Sequence, residues 1–105
     1  MLRVVIGWLT TGVGLCASAS GAMAPNLSKE PVTLAACKTE CANTLDCIAL
    51  SHMTATLRCA LWLDKDSQGS KNSWSSYAGI NWVVGGAITT SDGNAGWACY
   101  ARSKH

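Results

Sequence analysis

Six cysteines are the residues of this 105-residue chain whose type most readily allows chemistry. Three lie in the stretch TLAACKTECANTLDCIAL, spaced Cys37-x3-Cys41-x5-Cys47, and Cys59 and Cys99 follow. Cysteines bind metals, carry redox reactions or form structural disulfides, and the cellular compartment largely decides among these roles.

The cysteine spacing disfavours metal and redox centres. A zinc site needs four ligands, usually in two close pairs, whereas the close spacings here are x3 and x5. His52 is predicted to alternate away from the Cys47 face of its strand, and His105 is terminal. The CxxC pattern of thioredoxin-type centres is absent. We therefore expect structural disulfides, no metal and no cofactor.

The other polar residues do not form an enzyme motif. Asp64 and Asp66 flank Lys65, which is typical of a solvated turn rather than of a glycosidase pair fixed across a cleft. No GxSxG motif occurs, and neither histidine has a motif partner. The sequence therefore predicts no catalytic residues.

The N-terminus resembles a secretory leader. Met1-Leu2-Arg3 carries a positive charge, and the following VVIGWLTTGVGLCASASGAMA is apolar and then rich in small residues. This layout predicts a signal peptide over 1–22, cleaved between 17 and 24, and a secreted protein without membrane insertion after cleavage. The alternative is an uncleaved anchor, although the stretch is marginal in length for a bilayer span.

Composition and length limit the class of protein and the size of its apolar core. Charged residues make up 13% and the net charge is +2, which excludes a strongly basic nucleic-acid binder. A chain of about 80 residues is too short for a large apolar core, so it needs covalent stabilisation. We expect one domain over 25–105.

The hydrophobic pattern predicts one helix and several strands. Thr33 caps a helix over 33–43, with Val32 as an apolar staple before it. Residues 46–53 and 57–63 are predicted to form a hairpin with a turn at 54–56. Period 2 places Cys47, Ala49, Ser51 and Met53 on one face of the first of these strands.

The rest of the chain is predicted mainly from its turn residues. Residues 25–31 read as an exposed linker, in which Asn26 begins an N-glycosylation sequon. Residues 64–79 are predicted to be a polar loop, and 91–96 a turn. One strand is predicted over 80–90, with a bend at Gly85-Gly86, and another over 97–102.

Spacing alone does not determine the disulfide pairing. Cys37 and Cys41 lie one helical turn apart, so both can reach a strand beneath the same helix face. The four cysteines between 37 and 59 nevertheless allow three connectivities.

The order of these features resembles the PAN/apple domain family. The residues on which this resemblance rests are Cys37-x3-Cys41-x5-Cys47, then CIALSH, then CALWL at Cys59. The resemblance covers 32–63 well, and GWACYAR resembles the closing strand of short PAN domains. It implies an α+β fold in which one helix packs on a five-stranded antiparallel sheet. It also implies the bridges Cys37–Cys59 and Cys41–Cys47.

Cys99 departs from the family pattern. Apple domains often tie their first strand to their last with a further bridge, but no cysteine lies between the predicted cleavage site and Cys37. We therefore expect Cys99 to be unpaired or to link two chains as a dimer. It could instead pair with Cys16 if the leader is retained.

The resemblance implies a binding role, because PAN/apple domains bind proteins or carbohydrates. Exposed aromatic residues in a polar loop suit sugar stacking or a protein hot spot, which makes Trp74 and Tyr77 candidate ligand-binding residues. Trp62, Tyr100 and Arg58 are further candidates on the sheet surface.

We accordingly expect a secreted, non-catalytic module that binds an extracellular protein or glycan. The alternative is a small secreted effector, toxin or defence protein. The low net charge argues against membrane lysis by such a protein.

Overall fold

A computed structural model describes residues 7–44, 46–64, 74–77, 79–83, 85–86 and 88–102. Within them the chain forms β1 (Trp8–Val13), β2 (Cys16–Ala17), β3 (Asn26–Lys29), α1 (Leu34–Ala42), β4 (Cys47–Met53), β5 (Arg58–Leu63), β6 (Ser75–Tyr77), β7 (Thr90–Ser91) and β8 (Trp97–Arg102). One antiparallel sheet has the order β1-β8-β4-β5-β3-β6, and β2 pairs with β7. The predicted α+β class is confirmed, although the main sheet has six strands rather than five.

Helix α1 begins and ends where its capping residues predict. The Thr33 hydroxyl accepts a hydrogen bond from the Ala36 N–H at 3.2 Å, and Asn43 is the C-cap. Cys37 and Cys41 face the sheet and are buried. No helix in the described part of the chain is long and apolar enough to cross a membrane.

Two apolar clusters cover the two faces of the main sheet. Beneath α1, the buried leucines of three adjacent strands pack around four cysteines: Leu27, Leu50, Leu61 and Leu63 with Cys37, Cys41, Cys47 and Cys59. The opposite face holds a smaller cluster of Cys16, Ala24, Ala49, Ala60, Trp62 and Cys99. The helix covers only the first face, which leaves the second partly open.

Three disulfides join these elements. Cys37–Cys59 ties α1 to β5, and Cys41–Cys47 ties the end of α1 to the start of β4. Both pairings are those that the PAN/apple resemblance implies. The third bridge, Cys16–Cys99, connects β2 to β8.

The expectation of an unpaired or intermolecular Cys99 is wrong in this structure. Cys16 and Cys99 are both fully buried, and no cysteine is free to link two chains. The reason is that residues 8–17 do not stand apart from the domain. Strand β1 pairs with β8 along its length, and β2 places Cys16 over the sheet.

A β-bulge changes the predicted faces of β4. Cys47 lies opposite Leu63 and Ala49 lies opposite Trp62, so the register shifts between them. Because a bulge adds one residue to one strand, Cys47 faces α1 while Ala49 faces away. His52 therefore shares the helix side of the sheet instead of alternating off it, and its Nε2 lies 2.7 Å from the Val32 carbonyl oxygen.

Three other segment predictions are corrected. The 25–31 linker contains β3, which lies between β5 and β6 with Leu27 fully buried. The 64–79 loop contains β6, while 65–73 and 78 lie outside the described residues. Among the described residues of 80–90, Ile80 makes an isolated bridge to Met23, and Thr90 belongs to β7. Local apolar pattern did not reveal these pairings, because each is made with a distant segment.

The two disulfides that differ most in loop length should contribute different amounts to stability. Their sequence separations are 83 residues for Cys16–Cys99 and 6 for Cys41–Cys47. On the chain-entropy model the longer loop contributes about 4.5 kcal/mol and the shorter about 2 kcal/mol. We expect Cys16→Ala/Cys99→Ala to lower the free energy of unfolding by about 2 kcal/mol more than Cys41→Ala/Cys47→Ala does.

Urea unfolding of the two double variants, followed by far-UV circular dichroism, measures this difference. Equal losses, or a larger loss for the short loop, would contradict the entropic account of the long bridge.

Candidate functional site

A groove of about 180 Å³ opens on the sheet face that the helix leaves uncovered. Its lining comes from strands β3, β5, β6 and β8 and from the loop before β2. The lining residues are Leu15, Asn26, Ser28, Arg58, Ala60, Trp62, Tyr77 and Trp97. We call this site the sheet groove.

Strand register sets the order of the side chains in the groove. Asn26 is paired with Tyr77 on one side and with Trp62 on the other, so these three form one row across the sheet. Every second residue of a strand lies on the same face of the sheet, so Ser28 and Arg58 lie on the same surface as Asn26 and Trp62. The groove thus combines two aromatic rings, a guanidinium, an amide and a hydroxyl within three strands.

Trp62 forms the floor of the groove. Its side chain is almost fully buried, and its Nε1–H donates to the Ser51 hydroxyl at 2.8 Å. Ser51 is also fully buried, and its oxygen accepts a second bond from the Cys16 N–H at 3.1 Å. The Ser51 hydroxyl in turn points its proton toward Cys16 Sγ at 3.2 Å. A hydroxyl has two acceptor positions and one proton, so Ser51 uses all three.

Arg58 supplies the positive charge of the groove. One guanidinium nitrogen donates to the Ser28 hydroxyl at 2.8 Å, and another lies 3.6 Å from a Glu30 carboxylate oxygen. Both partners of this ion pair are partly exposed, at 29% and 46%. Such a pair is weak, at about 0–1 kcal/mol, so it orients Arg58 without removing its capacity to bind a ligand.

Tyr77 and Trp97 lie at the open side of the groove. Tyr77 is 51% exposed, which is unusual for an aromatic residue held in a strand. Trp97 is half-buried and packs against the cluster that contains Trp62. An exposed aromatic ring beside a hydrogen-bonding guanidinium can stack on a ligand while the polar groups orient it.

Only three of the five predicted ligand-binding residues meet in the sheet groove. Trp62, Tyr77 and Arg58 line it. Trp74 and Tyr100 instead pack against the cluster under α1, on the other face of the sheet. There the Lys38 ammonium lies 5.2 Å from the centre of the Tyr100 ring, a cation–π arrangement that joins the helix to β8.

The sequence reasoning missed the five other lining residues, which are Leu15, Asn26, Ser28, Ala60 and Trp97. Asn26 and Ser28 alternate with the buried Leu27, which is a strand pattern hidden by its brevity and its flanking prolines. Leu15 was assigned to the leader, and Trp97 only to the closing strand over 97–102. A period-2 reading of NLSK would have identified Asn26 and Ser28.

The Asn26 sequon lies inside the groove. Asn26 is half-buried on a strand that is paired on both sides, so it is not in an exposed linker. Its glycosylation stays a prediction. A glycan attached there would stand between Tyr77 and Trp62 and would fill the groove.

Metal-ligating side chains do not converge in the part of the chain that the structure describes, where no group of three or more histidine, cysteine or acidic residues is placed to hold an ion.

Comparison with known proteins found no matching family model, no matching curated protein and no matching solved structure.

Replacing Ser51 tests whether its hydroxyl holds the groove floor. Ser51→Ala leaves the Trp62 Nε1–H and the Cys16 N–H without their acceptor, and each buried unpaired donor costs about 1–3 kcal/mol. We expect the free energy of unfolding to fall by about 2–4 kcal/mol. Chemical denaturation measures the loss, and near-ultraviolet circular dichroism reports the altered setting of Trp62.

The matched control is Ser76→Ala, because Ser76 is exposed on edge strand β6. An exposed serine of this kind should change stability by no more than about 0.5 kcal/mol. Equal effects of the two substitutions would contradict a special role for Ser51.

Proposed function

We propose that this protein is a non-catalytic recognition module that binds a sugar ring in the sheet groove. The observation that carries the proposal is the convergence of Tyr77, Trp97 and Arg58 with Asn26 and Ser28 in one groove. Aromatic faces pack on the apolar face of a sugar ring, while amide, hydroxyl and guanidinium groups bond its hydroxyls.

The chemistry of the lining residues favours binding over catalysis. They offer hydrogen-bond donors and acceptors but include no histidine, carboxylate or thiol. General acid–base catalysis is most often carried by a histidine or a carboxylate within hydrogen-bonding distance of the reacting atom. The groove therefore suits recognition of a ligand without its conversion.

The size of the groove favours a sugar over a folded protein partner. A volume of about 180 Å³ is smaller than the pockets of roughly 300–1,000 Å³ that hold drug-sized ligands, so it suits one ring. A stable protein interface instead buries about 800 Å² on each side. A protein would have to contact far more surface than the groove provides.

Disulfide content supports an extracellular location within this proposal. Three intramolecular bridges in 105 residues are typical of secreted domains, because thiols stay reduced in the cytosol. The PAN/apple resemblance of 32–63, with its protein- and carbohydrate-binding members, points to the same class of role.

A glycan array probed with the folded protein tests the proposal, followed by calorimetric titration of the sugar that binds. Tyr77→Ala should weaken that affinity roughly fivefold, because losing one aromatic contact costs about 1 kcal/mol. Arg58→Met keeps the aliphatic stem but removes the charged hydrogen bonds, so the affinity should fall tenfold or more for a loss of about 1.5–3 kcal/mol.

Val83→Ala is the control, because Val83 is an apolar residue that is 76% exposed and lies outside the groove lining. It should leave sugar affinity unchanged. An array without a hit, or equal effects of Tyr77→Ala and Val83→Ala, would reject sugar binding in the groove.

A further inference from the structure

The N-terminal arm, residues 8–17, contains β1 and β2 and is bonded both to β8 and to the segment before it. The Gly14 N–H donates to the Trp97 carbonyl at 2.7 Å, and the Leu15 N–H donates to Asp92 Oδ1 at 2.8 Å. In the other direction, three backbone N–H groups donate to arm carbonyls: Thr89 to Ala17 at 3.1 Å, Asp92 to Leu15 at 3.0 Å and Gly93 to Val13 at 3.0 Å.

The arm is also part of the groove. Leu15 lines it alongside Trp97, and the Cys16 N–H shares the Ser51 hydroxyl with the Trp62 indole that forms the floor. The Cys16–Cys99 bridge is buried next to these contacts. Removing the arm would therefore take away one wall, one partner of Ser51 and the carbonyls that hold residues 89–93.

An exposed turn joins the arm to the remainder of the chain. Residues 19–21 are exposed, and the turn is held by bonds from the Gly21 N–H to the Ser18 carbonyl and from the Ser18 N–H to the Ala22 carbonyl, each 2.9 Å long. Exposed turns of small residues are preferred sites of proteolysis. The small-residue zone predicted for cleavage, 17–24, includes this turn.

We propose that two covalent links hold the arm in place, and that the groove is dismantled only when both are cut. Proteolysis in the turn adds water across one peptide bond, leaving a carboxylate and an amine, while Cys16–Cys99 keeps the arm attached. Once local opening of the cut arm exposes the buried Cys16–Cys99 bridge, a dithiol reductant donates two electrons, becomes a disulfide itself, and leaves Cys16 and Cys99 as thiols. This regulation rests on the proposed function of the groove.

The same two links explain why the time of cleavage matters. A cut made after folding leaves the arm bound through Cys16. A cut between 17 and 24 before Cys16 has met Cys99 removes the arm, and Cys99 is then left without its partner. Cleavage before folding and cleavage after folding thus give different molecules.

The test uses a full-length chain with a site-specific protease sequence inserted between Ser20 and Gly21. The chain is folded, cut, diluted through a gel-filtration column and weighed by intact mass spectrometry. With Cys16 and Cys99 present, the arm peptide should stay attached. In the cut Cys16→Ala/Cys99→Ala variant, the other two bridges are kept without any reductant, and the arm is held by the β1–β8 pairing and by backbone hydrogen bonds but by no covalent link. The peptide should then be lost on dilution, and its retention would overturn the proposal.

Hydrogen exchange measures whether the arm still protects the amides of residues 89–93, and it needs no sugar ligand. The Thr89, Asp92 and Gly93 amides should exchange faster once the arm is gone, because their acceptors are arm carbonyls. Amides of α1 should not change. Loss of the arm from the cut, bridged protein, or unchanged exchange in the cut, unbridged protein, would overturn the proposal.

A second variant keeps the test valid if the double cysteine variant does not fold. Gly14 has φ +118°, and a Cβ there would overlap the Gly93 nitrogen and the Asp92 carboxylate. Gly14→Ala should therefore speed exchange at Asp92 and Gly93 in the uncut, bridged chain. Gly21→Ala is the matched control, since Gly21 also has a positive φ, of +87°, but no atom lies within 4 Å of the added Cβ.

Equal exchange in the two glycine variants would mean that the arm is not held by the contacts described. Because neither readout uses a sugar, a failed glycan array with the expected exchange pattern would reject the proposed function alone. Sugar binding that survives loss of the arm would reject only the regulation.

Discussion

The buried Ser51 hydroxyl is the contact on which the open face of the sheet depends. It accepts from the Trp62 indole and from the Cys16 N–H, and its own proton points at the Cys16 sulfur. A fully used hydroxyl in an apolar surrounding is rigid, because moving it would leave buried donors unpaired. Ser51 thereby fixes the floor of the groove and the arm that walls it, from the middle of the central strand β4.

The two faces of the sheet differ in how they are packed. Beneath α1, two disulfides and four leucines form a closed cluster that excludes water. The other face is held by Cys16–Cys99 and by small residues such as Ala49 and Ala60, which leave room above them. Since small side chains cannot fill the space between Trp62, Trp97 and Tyr77, a groove remains.

Three of the eight lining residues of the sheet groove were predicted from sequence: Arg58, Trp62 and Tyr77. Arg58 and Trp62 were found because alternate residues of the predicted strand over 57–63 share a face. Asn26 and Ser28 were missed although NLSK alternates, because so short a segment between two prolines was taken as a linker, and its strand is formed by pairing with β5 and β6. Trp74 and Tyr100 lie on the other face of the sheet from the groove, which the sequence could not indicate because aromatic character does not tell which face a residue occupies.

The sequence by itself determined the capped helix, the β4–β5 hairpin and the closing strand, since capping and alternation act between near neighbours. The PAN/apple resemblance of 32–63 implied which cysteines link α1 to the sheet. Only the tertiary structure decided the place of residues 8–17, the partner of Cys99 and the bulge that turns Cys47 toward the helix. Those features depend on contacts between residues far apart in the chain, and local sequence pattern carries no record of which distant segment will supply the partner.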